Sequence, residues 1–335
     1  MKFKCISVGG NCYGFKNQAN DDIPYVSFDD PSLLEDLNDP TRKKTILECL
    51  LLLAVCHNVL IHKGENGIEE YNASSPDELA FVHFAKKYGF EFHERTKKGE
   101  LILKINGEND VFELLQALDF NSNRKRMSVI IRHNGIITLY CKGADSVIID
   151  RLDKKHTQQM VLKHLKSFAS KGYRTLLIAN KSLSEREYCE WMKEYHSMIS
   201  NITKSETEIE SVRQKIENNL TLLGVTAIED QLQENVTECI NVFRKAEIKL
   251  WVLTGDKLET AKSIAHSSGI VVPGTTEFVL EEIENLENQL KLIYKKLITA
   301  DHVVTHSIFI TGDVLSKIFE DKHTKKSVFI FIGFF

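Results

Sequence analysis

The chain has 335 residues, 42% of them hydrophobic and 27% charged, with a formal net charge of -4. That length accommodates two domains, each able to bury a core, and the mild acidity excludes the strongly basic footprint of a nucleic-acid binder. The seven cysteines are odd in number and include no C-x-x-C pair, which fits buried thiols of a reducing compartment better than a disulfide framework or a zinc site.

Residues 1–30 predict a short strand pair turning at Gly9-Gly10, without the apolar core of a signal peptide. Thr45 to Leu60 is apolar nearly all round and predicts a long buried helix. "SSPDELAFVHFAKKYGF" carries a helix start: Ser75 as N-cap, Pro76 in the first helical position, Asp77 and Glu78 in the first turn, and Gly89 as the stop. Strands at 101–105 and 111–118 flank Asn106-Gly107, and strands at 127–132 and 136–141 flank His133-Asn134-Gly135; Asn-Gly is a strong hairpin signal.

Strand Arg174–Ala179, a charged helix over 184–198 and a polar stretch over 200–218 come next. Then follow strand 220–227, helix 231–245, strand 248–253 and helix 257–266, an alternation that predicts a parallel α/β sheet with the change of domain near residue 216. Leu280, Ile283, Leu286, Leu290, Ile293 and Leu297 step by three and four and predict one amphipathic helix. The longest apolar runs, 49–55 and 328–335, fall far short of the roughly 18–20 residues of a spanning helix, so the chain by itself reads as soluble. The uncharged end "VFIFIGFF" reads either as an aggregation-prone strand or as a central strand whose neighbours lie elsewhere.

Three groups carry candidate chemistry. In "LWVLTGDKLETA", Thr254 ends an apolar run where ligands of open α/β sheets bind, Gly255 gives the backbone room to turn, and Asp256 either faces a phosphate or caps the next helix with Glu259. In "LDFNSNRKRMSVI", Phe120 and Ser122 beside Arg124, Lys125 and Arg126 suit a purine and its phosphates; the plainer reading is a core ring and a solvated basic turn. In "LYCKGADSVI" and "KGYRTLLIA", Lys142 and Arg174 either reach a ligand or simply leave the core for water. The Walker A, G-x-G-x-x-G, H-E-x-x-H and G-x-S-x-G motifs are absent.

Taken in order, "YNASSPDELAFVHFAKKYGF", "LDFNSNRKRMSVIIR", "LYCKGADSVI", "GYRTLLIA" and "LLGVTAIEDQLQENV…LWVLTGDKLETA" resemble the cytosolic part of a P-type ATPase, and their wording resembles the phospholipid-transporting (flippase) subfamily. The similarity extends over residues 1 to about 272 and faintly to about 319. It implies an α/β (α+β) chain: an antiparallel-sheet nucleotide-binding domain over 1–215, then an incomplete Rossmann-like, haloacid-dehalogenase-like phosphorylation domain over 216–335. By the same resemblance, Glu78, Phe120, Ser122, Lys142 and Arg174 line the nucleotide pocket, Phe120 stacks on adenine, and Lys142 closes over it. Thr254, Gly255 and Asp256 lie near the γ-phosphate and ribose, and Asp230 and Gln231 match a loop that meets the nucleotide when the domains close.

The implied cofactors are ATP and, in the complete family enzyme, Mg²⁺. The implied partners are a membrane domain and phospholipid, with no nucleic acid, and the implied location is the cytoplasmic side of a membrane. Such enzymes transfer the γ-phosphoryl group to an aspartate, largely by positioning and charge neutralisation. The family's Asp-Lys-Thr-Gly-Thr and Gly-Asp-Gly-x-Asn-Asp motifs do not occur in this sequence; the resemblance places the first a few residues before Met1, and Asp21 and Asp22 sit in a polar segment instead. The expected function is therefore ATP binding without aspartyl-phosphate formation by this chain alone. The alternative is a truncated, non-catalytic paralogue that acts as a nucleotide-binding or interaction protein.

Overall fold

The computed structural model describes residues 1–14, 23–63, 69–153, 159–201, 203–255, 258–281, 283–284, 286–299 and 305–320. The chain forms two compact units, one of Met1–Ala169 with Tyr173–Gln231 and the other of Ser170–Gly172 with Leu232–Phe335.

The first unit begins with strands β1 (Lys2–Val8) and β2 (Asn11–Tyr13), which turn at Gly9 and Gly10, both at positive φ. Helices α1 (Pro31–Asn38) and α2 (Pro40–Val55) are capped by Asp30 and Asp39, with Pro at each helix start. A small hairpin of β3 (Leu60–Lys63) and β4 (Glu69–Asn72) precedes α3 (Pro76–Lys87). The strands β5 (Phe90–Arg95), β6 (Glu100–Ile105), β7 (Glu108–Leu118), β8 (Arg126–His133) and β9 (Ile136–Gly143) form a meander. Its Asn106-Gly107 and Asn134-Gly135 corners adopt the positive φ values that tight hairpins require. Helices α4 (Asp145–Ile149) and α5 (Gln159–Ser170) lead to β10 (Arg174–Leu183), and α6 (Glu185–Ile199) and α7 (Glu206–Ile216) lead to β11 (Thr221–Glu229).

These strands make one nine-stranded sheet in the order β2-β1-β11-β10-β9-β8-β7-β6-β5, and each strand pairing in it is antiparallel. Alternate side chains go to opposite faces. Met127, Val129 and Ile131 join the core that holds α2 and α3. Ile130, Leu139 and Cys141 join the core that holds α5, α6 and α7. The sheet is thus covered by helices on both sides, which is why its central strands read as almost unbroken apolar runs.

Several sequence expectations are corrected here. The strand at 220–227, expected to lead the parallel set, is an interior antiparallel strand between β1 and β10, because it alternates into both cores of the first unit. The first unit accordingly runs on to Gln231. The polar stretch 200–218 contains α7, held by a Ser205–Glu208 capping box. Ser75 occupies the N-cap position of α3 but makes no side-chain cap bond.

The second unit contains α8 (Val236–Lys245), α9 (Leu258–Ser267), β12 (Thr276–Leu280), α10 (Leu286–Thr299), β13 (His306–Ile310) and α11 (Gly312–Glu320). β12 and β13 pair in parallel, and Phe278, Leu280, Leu290, Ile293, Val314 and Ile318 form its core. Leu280 therefore ends a strand, and the amphipathic helix starts at Leu286. Residues 248–253 do not form the expected strand: among the described residues no strand pairs with them, and Trp251 and Leu253 are exposed. An apolar run is a strand only where a neighbour completes its hydrogen-bond ladder. The tail segment 328–335 lies outside the described residues. No described helix is long and apolar enough to cross a membrane, and no disulfide joins the described cysteines.

Candidate functional site

The hub of the site is the first turn of α3. Pro76 presets the helical φ, and Asp77 and Glu78 sit at the positive end of the helix dipole. Glu78 is buried and its carboxylate is met twice: Lys142 Nζ donates to Oε1 at 2.9 Å, and the Asn58 backbone N–H donates to Oε2 at 3.0 Å. Lys142 comes from the end of β9, where it pairs with Met127 of β8. It is 6% exposed, and its ammonium stands 5.2 Å from the centre of the Phe81 ring.

Asp77 accepts from Arg174 Nη1 at 3.1 Å, and Arg174 Nη2 lies 3.6 Å from Asp230. The register that pairs Arg174 with Ile228 brings this start of β10 to the end of β11. Phe120 follows β7 and is 60% exposed. Its neighbour Asp119 accepts from Asn58 Nδ2 at 3.1 Å. Asn58 thus ties the Glu78–Lys142 pair to Asp119, the residue before Phe120, while Asp77, next to Glu78 in the same helical turn, holds Arg174. Ser122 is exposed in the turn after Phe120.

Beneath this group lies His57, fully buried. Its Nε2 faces Ala54 O at 2.8 Å, and the Val59 N–H donates to Nδ1 at 3.1 Å, so the ring is the neutral Nε2–H form. Burial, and then the Lys142 charge, push its pKa down to about 3. Burial likewise pushes the Cys56 thiol up to about 12, so this cysteine is packing and not a nucleophile. Arg95 donates from Nη2 to His57 O at 2.8 Å. Asp77 Oδ1 is buried with no hydrogen-bond partner, an unmet acceptor that costs on the order of 1–3 kcal/mol.

The basic turn does not face solvent as a set. Lys125 is exposed, but Arg124 and Arg126 are buried and turned inward onto Glu210 and Glu217. In the second unit, Thr254 and Gly255 lie in the exposed loop before α9, and Asp256 lies outside the described residues. A Cβ on Gly255 would meet nothing within 4 Å, so the close turn expected of this glycine is not seen. Asp77, Asn58, Glu210 and Glu217 are not among the candidate site residues that the sequence offers, Asp77 being read there only as part of a helix start. Asp77 adjoins Glu78 in a helix start and was within reach of that reasoning; the others act across long sequence separations.

Among the described residues no group of three or more His, Cys, Asp or Glu is placed to hold a metal ion. An open polar hollow at the other ends of the meander strands, lined by Lys98, Glu100, Glu113, Arg132 and His133, contains none of the candidate residues.

The described site is thus an antiparallel sheet with a buried Glu78–Lys142 pair at the end of β9 and an exposed Phe120 after β7. The chain belongs to the P-type ATPase family: the family model "P-type ATPase, cytoplasmic domain N" matches residues 45–235. It is similar to the phospholipid-transporting ATPase DRS2 of Saccharomyces cerevisiae, 37% identical over 309 residues, covering 88% of this chain and 23% of that protein. It is also similar to the phospholipid-transporting ATPase tat-1 of Caenorhabditis elegans, 40% identical over 299 residues, with 87% and 26% covered. The human phospholipid-transporting ATPase IC is 36% identical over 368 residues, with 100% and 29% covered. The chain thus spans between 23% and 29% of the length of these relatives.

Proposed function

We propose that this chain binds ATP as the cytosolic portion of a phospholipid-translocating P-type ATPase. In this reading the antiparallel unit is the nucleotide-binding domain, and the second unit, with its parallel strand pair, is part of a haloacid-dehalogenase-like phosphorylation domain. Phe120 offers its exposed face to the adenine, a contact worth roughly 1–3 kcal/mol. Lys142, held by Glu78, supplies an ammonium beside that face, and Arg174 and Ser122 reach the sugar and phosphates. Thr254, Gly255 and Asp256 belong to the phosphate end.

The observation that supports the reading most is the first turn of α3, where Glu78 bonds Lys142 and its neighbour Asp77 bonds Arg174, while Asn58 bonds both Glu78 and Asp119, the residue before Phe120. The sequence contains no Asp-Lys-Thr-Gly-Thr, and no acceptor aspartate is assigned among its residues. Mg²⁺ belongs to the complete family enzyme, and no described residues are assigned to it. The phospholipid and its translocation are proposed for the whole protein, on the printed names of the relatives.

A stack and a few charged contacts suggest millimolar affinity, about -4 kcal/mol. Titration of ATP followed by NMR or calorimetry should show saturable binding, weakened about tenfold or more by Phe120→Ala and by Lys142→Ala. No saturation at several millimolar ATP would overturn the reading.

A further inference from the structure

The turn between β7 and β8 is built in three layers. Its backbone is wound locally: Asn121 Oδ1 accepts from the Asn123 and Arg124 N–H groups at 3.0 and 2.7 Å, and the Lys125 N–H donates to Asn121 O at 2.8 Å. Lys125 then takes positive φ. The next layer is a close approach. Arg126 pairs with Gly143, where a Cβ would lie 2.6 Å from Arg126 Cβ and 2.8 Å from Lys125 O. Only glycine lets the turn lie flat against the residue that follows Lys142.

The third layer is long-range. Glu217 is 0% exposed. Its carboxylate accepts from Arg124 Nη2 at 2.7 Å, Arg126 Nε at 2.9 Å, Arg126 Nη2 at 2.6 Å and Ser128 Oγ at 2.5 Å. Glu210 adds contacts to Arg124 Nη1 at 2.8 Å and Arg126 Nη2 at 2.7 Å. The two glutamates are seven residues apart, two turns along α7 and just beyond its end, so they address the same side. α7 is itself fixed by Val212 and Ile216 in the core and by the bond from Trp191 Nε1 to Val212 O at 2.9 Å.

A buried carboxylate with four donors and two guanidinium groups is costly to assemble and adds little stability over an apolar core, but it fixes geometry. What it fixes here is the segment that presents Phe120 and Ser122. We propose that Glu217 and Glu210, acting through Arg124 and Arg126, are positioning residues that hold the 121–125 turn so that Phe120 and Ser122 meet the nucleotide. The α6–α7 hairpin is then part of the nucleotide site although neither glutamate touches the ligand. This inference rests on the ATP-binding reading above.

The test compares the full chain with its Glu217→Gln and Glu210→Gln variants. ATP affinity is measured by titration, and amide hydrogen exchange is followed at 121–125 and at the interior of β8 and β9. Both variants should bind ATP about tenfold more weakly, with faster exchange confined to 121–125 while Ile130 and Leu139 stay protected. A merely structural role would change exchange throughout the sheet and leave the affinity of the folded fraction unchanged. Glu210 has 18% of its side chain exposed and its replacement keeps the four donors on Glu217, so this variant carries the test where Glu217→Gln fails to fold. Wild-type binding that both folded variants retain within twofold overturns the positioning role alone. Absence of wild-type binding overturns the nucleotide reading and this inference with it.

Discussion

His57 adjoins Asn58, whose backbone N–H donates to Glu78, and it is fully buried in its neutral form. Its folded pKa of about 3 lies below the ordinary 6.5, first through burial and then through the Lys142 and Arg95 charges. The unfolded chain therefore binds a proton that the folded chain refuses. The stability linked to this residue is complete above pH 6.5 and is lost progressively as pH falls from 6.5 toward 3. The slope for one proton is at most about 1.4 kcal/mol per pH unit. His83, lowered mainly by burial and then by Lys86, adds to the loss in the same direction. Urea titrations at pH 7.5, 6 and 5 should show a falling midpoint, and His57→Asn should flatten that fall while lowering stability at pH 7.5. The Glu78–Lys142 pair makes a second case. Glu78→Gln or Lys142→Met should each destabilise by about 3–5 kcal/mol, because each leaves a buried charge unmet, and the double variant should lose less than the sum in a double-mutant cycle. At this scale the helix start and strand ends beside which Glu78, Phe120, Lys142 and Arg174 sit are legible in the sequence. The burial of Arg124 and Arg126 is not, since their carboxylates lie between 84 and 93 residues away.

Among the elements, β11 joins the last stretch of the first unit to its first strand. Residues Val8 and Gly224 pair across β1 and β11, and β10 and β11 slip register beside the same glycine, between Ile178 and Ala179. The slip is a bulge, with Leu223 O turned to accept the Gly9 N–H at 3.2 Å. A Cβ on Gly224 would stand 2.1 Å from Ser7 O, a backbone atom that cannot swing aside. Gly224→Ala should therefore cost about 1–3 kcal/mol through overpacking. In a unit of this size that is a fall in Tm of roughly 2–4 °C per kcal/mol, readable by calorimetry. The hairpins and α3 could be placed from local patterns, because Asn-Gly corners and a Pro-Asp-Glu start act within a few residues. The position of β11 could not: its alternation with neighbouring helices looks like a parallel α/β unit, and what decides otherwise is pairing with residues 2–8 at the far end of the chain. Residues 248–253 show the converse, an apolar run whose strand character depends on neighbours that the described residues do not supply.

For the whole molecule, the distribution of candidate residues between the two units sets a clear expectation. Glu78, Phe120, Ser122, Lys142, Arg174 and Asp230 all lie within the first unit, as do both cores that sandwich its sheet. The second unit has its own small core and exposes Val242, Phe243, Trp251, Val252 and Leu253. Such exposed apolar residues promote association. A chain ending at Gln231 should therefore fold cooperatively, bind ATP within about threefold of the 335-residue chain, and bind less of a hydrophobic dye such as ANS. The two tryptophans separate the contributions: Trp191 is buried in the first unit and Trp251 is 62% exposed in the second. Ending the chain at Gln231 should remove the red-shifted, easily quenched emission and leave the Trp191 signal as a single reporter of unfolding. Should the shorter chain bind ATP far more weakly while keeping the Trp191 transition, then residues beyond Gln231, Thr254 foremost, contribute much of the affinity, and the site is not contained in the antiparallel unit.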